Sequence, residues 1–563
     1  KGVIYVGAQF LFRSKDRGDT WERISPDLTT NDPEKQKQEE SGGVTVDNSF
    51  AEMHTTIYSI SESPKDAKVI WVGTDDGNLQ LTKDGGKHWT NVAPNVPGLP
   101  KASWVSWLEA GRFEPGTAFA AFDRHTFGDM TPWVYATKDY GATWRRIVGP
   151  GQGVRGYAHV VKQDLVKPEL LFVGTELGLF VSIDAGGHWA EFKGNGFPSV
   201  AVRDLAIQPR ENDLVIATHG RGIWIVDDIT PLRALTTDVL QKPIAFLPGR
   251  PVQQRMPGKP GWTIGDAEFV GQDPPSGAVV TYYQRARHLY GRMKLEVLDP
   301  SGKVVDTVFA PKRRGVNRAV WSMTVKPPKV PRAAQVAWNA TQGPRVLPGT
   351  YTFRLTSGRD VVEEKVAIGI DRRAPYSVAD KKAEYDAAMK AYALFGDMSA
   401  LVARIDAARE GVAARRKALP AGDALAARLG KVGDALDVVK KKIVATKEGG
   451  AITGEERLRE HLDDVYGALL SYEGKPAKYQ VERVETLKKE LGEVAKTFDA
   501  LAAGELRALD GELKAHGLAP IPTDAPKAGL DAASEPRVAR AIECIESAGG
   551  GCEPASRAAR ERD

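Results

Sequence analysis

The stretch Val181–Trp189 reads VSIDAGGHW and sets Asp184 four residues before His188. A carboxylate beside an imidazole is the beginning of an acid–base pair. Asp75 and Asp76 stand together in GTDDG, and Glu176 stands in GTELG. Two carboxylates flanking one sugar bond hydrolyse it, with retention at about 5–5.5 Å apart and with inversion at about 6.5–9.5 Å. Asp75 or Asp76 with Glu176 is the weak candidate pair for that chemistry. His125 and Asp129 in DRHTFGD, with His219 in THGRG, carry metal-ligand atoms. They lack the spacing of a metalloprotease helix, so neither a metal nor a cofactor is expected. No Gly-x-Ser-x-Gly elbow occurs, which removes the α/β-hydrolase arrangement.

The Asp184 motif is one of four. SKDRGDTW, TKDGGKHW and TKDYGATW repeat the skeleton Ser/Thr-x-Asp-x-Gly-x-x-Trp, with Asp16, Asp84, Asp139 and Asp184 separated by 68, 55 and 45 residues. In a tight turn an aspartate accepts from backbone N–H groups that the reversal leaves free. Glycine supplies the positive φ, and tryptophan buries a large apolar face between sheets. Asp16, Trp21, Asp84, Trp89, Asp139, Trp144, Asp184 and Trp189 are therefore expected to build shape. His188 is replaced by threonine in two of the four copies, which argues against its doing chemistry.

Each motif sits in a larger frame. TIYSISESPKDAKVIWVGTDDGNLQLTKDGGKHWTNV gives four apolar runs separated by turn residues, hence four strands per repeat. Five repeats are visible, and the first and last are incomplete. Repeats of this size are the mark of a β-propeller, so residues 1–235 are expected to be propeller blades. An N-terminal region missing from this sequence, or another chain, is expected to complete the ring. Residues 236–264 read as a Pro-rich linker and 265–372 as an Ig-like β-sandwich of short alternating strands. From 376 to 516 the period changes: Leu425, Leu429, Val432, Leu436, Val439 and Ile443 alternate spacings of 4 and 3, which predicts an α-helical bundle. Residues 517–563 read as a flexible tail.

A net charge of +4 on 563 residues, with both signs interspersed, gives no footing for nucleic acid. No apolar run of spanning length occurs. Cys544 and Cys552, the two cysteines, support no disulfide framework or four-ligand zinc site, and their pairing with each other stays open.

The fourfold motif resembles the Asp-box, or bacterial neuraminidase repeat, of sialidases, sortilin-type receptors, some xyloglucan hydrolases and photosystem assembly factors. GTELGLFVSIDAGGHW, TPWVYATKDYGATW and DLAIQPRENDLVIATHGRGIWIVDDITPL look like large exported bacterial proteins labelled sortilin-like or glycosyl hydrolase. The resemblance implies a propeller and an extracytoplasmic location. It implies binding or hydrolysis alike, because one fold hosts both.

If the Asp-box joins the third and fourth strands of a blade, the second-to-third turns lie on the opposite face. That face is expected to display Gln9, Asp75, Asp76, Arg124, His125, Asp129, Trp133, Glu176, His219 and Arg221. The inter-blade links add His54, Trp104, Arg155, Tyr157 and Arg203. Convergent aromatics, guanidiniums and carboxylates suit a protein, peptide or glycan ligand. The expected function is extracytoplasmic recognition or scaffolding on that face, with homo-oligomer formation through the helices; the alternative is a sialidase- or xyloglucanase-like glycoside hydrolase.

Overall fold

The computed structural model describes residues 2–37, 54–256, 271, 273–420, 422–449 and 454–524. Cys544, Cys552 and most of the expected tail lie outside them. The chain is a mixed β and α protein with many antiparallel sheets and C-terminal helices.

Five antiparallel meanders follow one another. The first holds Ile4–Gly7, Leu11–Ser14 and Glu22–Arg23. The second holds Ile57–Glu62, Ile70–Thr74, Leu79–Thr82 and Thr90–Asn91, and the third Trp104–Ala110, Ala118–Arg124, Asp129–Thr137 and Arg145–Arg146. The fourth holds Ala158–Gln163, Leu171–Thr175, Gly178–Ser182 and Ala190–Glu191, and the fifth Val202–Gln208, Asp213–Thr218 and Ile223–Val226. Ile70–Thr74 and Leu171–Thr175 are buried along their whole length, because a sheet packs on each side of them. That is why they read as unbroken apolar runs and not as alternating ones.

Alternation nevertheless sorts each strand's residues between two neighbours. In the second sheet Trp71, Leu79 and Leu81 share a core with Val105, Ala118 and Ala120 of the third. Ile70 and Val72 point the other way, onto Leu11, Ile24 and Leu28. Phe119 and Ala121 of the third sheet meet Leu171 and Val173 of the fourth, and Phe172 and Leu179 of the fourth meet Val202 and Leu214 of the fifth. Each valine, leucine, isoleucine or phenylalanine among them contributes about 1.5–3 kcal/mol by leaving water. The approach is close enough to exclude a side chain at Gly73, where a Cβ would lie 2.4 Å from a Val105 methyl.

The four repeated aspartate turns close the last hairpin of each of the first four sheets. Asp184 Oδ1 accepts from the Ser182 hydroxyl at 2.8 Å and from the His188 N–H at 2.9 Å, and its Oδ2 lies 2.6 Å from His188 Nδ1. In the first copy Thr20 makes the same two contacts to Asp16, at 2.9 and 2.5 Å. The residue after each aspartate has a positive φ, 67° at Arg17, 77° at Gly85, 59° at Tyr140 and 58° at Ala185. The motif tryptophans reach back to the preceding sheet: Trp89 Nε1 donates to Ile24 O at 3.1 Å and Trp189 Nε1 to Ile147 O at 2.8 Å.

Two stretches differ from the sequence expectation. Within the expected linker, Ile244–Leu247 and Val252–Gln254 are strands. The first pairs with Ala278–Gln284, which pairs with Gly315–Trp321; the second runs parallel to Ile368–Ile370, in a sheet with Gly349–Ser357, Met293–Leu298 and Val304–Val308. Pro243, Pro248 and Pro251 sit at the strand ends, where a missing N–H costs no ladder bond. The two sheets meet where Trp321 packs on Tyr351 and Phe353, with centroids 5.2 and 5.8 Å apart.

The second difference is Thr324–Leu347, read as part of the sandwich. The chain divides into two compact units, one reaching to Met323 and taking back Pro348–Arg372, the other made of Thr324–Leu347 and the residues from Arg373 onward. Asp463 accepts from Asn339 N and Ala340 N at 3.3 and 2.9 Å, and the Tyr466 hydroxyl donates to Gln342 O at 2.8 Å. Those bonds hold the segment to the helices.

The helical unit contains Val378–Ala418, Ala424–Ile443, Leu458–Ser471, Lys478–Leu501 and Asp510–Ala515. Ser377 and Asp380 form a capping box at the first, and Asp423 caps the second through Leu425 N at 2.7 Å. Leu425, Leu429, Val432, Leu436, Val439 and Ile443 are all buried, in one core with Leu401, Ile405, Ala408 and Val412. No described helix is long and apolar enough to cross a membrane.

Candidate functional site

Six side chains join across the third, fourth and fifth sheets. Asp123, near the end of a third-sheet strand, accepts from the His125 N–H at 2.8 Å and lies 2.7 Å from its Nδ1. The His125 ring stacks on Tyr157, centroids 4.6 Å apart and planes 14° from parallel. Tyr157 meets His159 edge-on at 4.7 Å. His159 Nε2 lies 2.8 Å from Glu176 Oε2, and its Nδ1 lies 3.3 Å from an Arg203 nitrogen. Because the guanidinium only donates, Nδ1 accepts and Nε2 carries the proton toward Glu176. Arg203 also stands 3.7 Å from Glu176.

Local structure explains the convergence. Tyr157 immediately precedes the strand Ala158–Gln163, and His159 lies within it where the register slips between Ala158 and Val160, a bulge of the kind that re-aims side chains. Glu176 caps the turn that follows Leu171–Thr175, and its N–H donates to Tyr157 O at 3.0 Å.

The electrostatics keep the acid ionised and the imidazole neutral. Burial, with His159 only 7% exposed, pulls the His159 pKa below its ordinary value, and Arg203 adds to that against the pull of Glu176. Burial raises Glu176, but the hydrogen bond from His159, the neighbouring Tyr157 phenol and the charge of Arg203 carry it below the usual carboxylate value. Burial and the Glu176 carboxylate push the Tyr157 phenol up to about 12.

The hairpin beside this cluster holds three further candidates. Asp129 accepts from Trp133 Nε1 and Thr131 N, both at 2.9 Å, and stands 3.5 Å from Arg124. Burial raises Asp129, and those hydrogen bonds more than offset it. Arg124 lies over the Phe127 ring at 4.6 Å, and Arg146 over Trp133 at 4.1 Å. Phe127 and Met130 are exposed.

The remaining candidates are engaged elsewhere. Asp76 is buried and accepts from Thr74 Oγ1 at 2.5 Å and from Thr30 N and Oγ1, both at 2.7 Å. Asp75 accepts from Thr56 N at 2.8 Å and lies 3.7 Å from His54; burial raises its pKa. Both carboxylates tie loops to the second sheet. Arg155 pairs with Glu191 at 3.1 Å. Gln9, His219 and Arg221 are exposed at their turns, and no described hydrogen bond or ion pair joins them to the cluster. Trp104 packs edge-on against Tyr58 at 4.7 Å. Among the described residues no group of three or more His, Cys, Asp or Glu is arranged to hold a metal ion.

Sequence reasoning passed over Asp123 and His159. His159 follows Tyr157 by two positions, and Asp123 precedes His125 by two in an Asx-type turn. Those spacings were the available signal.

No protein-family model matches this sequence, and no curated protein matches it. Among solved structures the chain is similar to YCF48 bound to a D1 peptide, at 17% identity over 40% of this chain and 62% of that one, with a TM-score of 0.26. It is similar to an ancestral GH74 enzyme at 11% identity, over 64% of this chain and 43% of that one, with a TM-score of 0.30. A third is PorZ, a surface component of the type-IX secretion system of Porphyromonas gingivalis, at 13% identity over 65% of this chain and 58% of that one, with a TM-score of 0.22. All three are β-propeller proteins. The chain thus spans less than two thirds of the length of each.

Proposed function

We propose that the five meanders are blades of an Asp-box β-propeller, in an extracytoplasmic protein that recognises a protein, peptide or glycan on its second-to-third-turn face. The sandwich and the helical bundle act as spacer and assembly surface. The observation carrying this reading is the chain Asp123–His125–Tyr157–His159–Glu176–Arg203, which bridges three consecutive sheets beside exposed Phe127 and Met130. Both of its carboxylates are already paired, Asp123 with His125 and Glu176 with His159, as suits a preorganised recognition surface. Screening the chain on a random peptide display library and a glycan array should yield a binder. Truncating Arg203→Ala or Trp133→Ala should then weaken capture about 30-fold or more with the thermal unfolding midpoint held. Equal capture by both variants and the parent refutes it.

The glycosidase reading keeps one supporting observation, Tyr157 and Glu176 meeting through His159 beside Arg203, a tyrosine and a carboxylate of the sort that attack a sugar. Against it, the phenol is made harder to ionise and Glu176 is a weakened base. Release of fluorophore from aryl sialosides, abolished in Tyr157→Phe, would establish it over recognition alone.

A further inference from the structure

Two loops leave the same end of the sandwich and carry the most exposed large apolar side chains of its described residues. Gln284 opposes Gly315 in the paired strands, so the loop after Gln284 and the loop before Gly315 emerge side by side. Leu289 and Tyr290 in the first are 66% and 87% exposed, and Phe309 in the second is 76% exposed. Both loops are held in shape. The His288 N–H donates to Lys312 O at 3.1 Å and joins them, and the His288 ring lies 3.1 Å from Ser357 Oγ and 3.3 Å from Gly291 O. Buried Asn317 accepts from Arg313 N at 3.2 Å and donates to Arg313 O and Gly315 O at 2.8 and 3.0 Å. These bonds turn inward, which leaves the three apolar side chains facing water.

Positive charge surrounds them. Residues 285–292 hold Arg285, Arg287 and Arg292, residues 309–314 hold Lys312, Arg313 and Arg314, and neither stretch holds a carboxylate. Arg285 donates to Gln241 O at 3.0 Å. The other five side chains are exposed and make no hydrogen bond or ion pair among the described residues. Glu296 and Asp306, the nearest acids along the adjoining strands, are engaged by Lys294 and by Trp321 Nε1. Asp360, in the turn after Ser357, has Arg359 beside it.

We propose that this end of the sandwich docks on a membrane surface of anionic phospholipid. Leu289, Tyr290 and Phe309 enter the boundary between headgroups and acyl chains, and the five free cations meet the headgroup phosphates. Attachment of this kind grows with the apolar area inserted and with the charge attracted, and both are gathered here on adjoining loops. Nucleic acid fits less well, because bases stack on aromatic faces and Leu289 offers none. A folded partner fits less well too. The five cationic heads are held in no fixed position, which suits a fluid layer of identical headgroups better than acceptors fixed in a protein surface, where each head would have to be ordered. The proposal does not rest on what the His159 cluster binds.

Cosedimentation of the full chain with vesicles tests this. Vesicles of mixed phosphatidylglycerol and phosphatidylcholine should retain the protein, and phosphatidylcholine alone should hold it about 30-fold more weakly. Arg313→Glu with Arg314→Glu should weaken retention on the mixed vesicles about 30-fold or more. Leu289→Ser with Phe309→Ser should weaken it about tenfold with the net charge unchanged. An unchanged thermal midpoint confirms folding; Arg287→Glu with Arg292→Glu replaces the first pair if that variant unfolds, and Tyr290→Ser the second. A parent that does not bind the mixed vesicles overturns the proposal. Full retention of the Leu289→Ser, Phe309→Ser variant overturns it too, because charge alone would then be acting. Tighter capture by a single-stranded oligonucleotide than by the mixed vesicles overturns it in favour of nucleic acid.

Discussion

Glu176 with His159 and Asp184 with His188 are two carboxylate–imidazole pairs built on the same sheet, 2.8 and 2.6 Å across. Their lengths are alike and their surroundings are not. The His188 side chain is 95% exposed and the His159 side chain 6%. Asp184 is satisfied by its own turn, and the threonines of two sister turns do the work of His188. Glu176 gathers groups from two places along the chain, Tyr157 with His159, and Arg203. A short contact between an acid and a histidine therefore says little; the distance along the chain from which its partners come says more.

The contrast breaks most visibly at His159. His159→Ala should leave a cavity and unpair Glu176, at a cost of about 3 kcal/mol in urea unfolding of the sheet unit followed by tryptophan fluorescence. A loss below about 1 kcal/mol would place both pairs in one class.

The pH profile should separate them next. His159 has a folded pKa below its unfolded value, so the unfolded chain takes up the proton first and stability falls as pH drops below about 6.5. Glu176 is depressed as well, and its contribution is lost further down, as pH falls through the carboxylate range. His159→Gln should flatten the upper step and keep the lower one; an unchanged upper step would assign it to another group.

Smaller effects belong to the exposed pair. Asp184→Ala removes an acceptor from a turn and should cost about 1 kcal/mol. His188→Thr should stay within about 0.5 kcal/mol, because Thr143 already makes both bonds to Asp139 at 2.9 and 2.6 Å. A cost for His188→Thr equal to that of Asp184→Ala would mean that the two turn types are not interchangeable.

What could be read in the sequence follows the same division. The repeated aspartate turns announce themselves because each is local, a carboxylate and its donors within five residues, copied four times. The face holding Tyr157, Glu176 and Arg203 could be located from strand alternation, whereas their connection through His159 depends on a bulge that leaves no mark in composition. Asp75 and Asp76 look alike in GTDDG, yet Asp76 is claimed by Thr30, 46 residues earlier, a pairing no window discloses. The strands around Phe246 were hidden by flanking prolines that ordinarily signal a connector. Thr324–Leu347 was misassigned because its partners, Asp463 and Tyr466, lie more than 100 residues later in the chain.

The motif tryptophans also make the molecule its own optical gauge. Trp89 and Trp189 are shielded by bonds to the sheet before them and Trp144 packs on Trp71, whereas Trp21, in the first sheet, is 44% exposed. In a background with Trp338→Phe, which silences the most exposed indole among the described residues at 68%, and Trp262→Phe, which removes the one tryptophan outside them, iodide should quench emission chiefly from Trp21. Whatever comes to rest against the first sheet will dim that quenching in proportion to occupancy, without any label being attached.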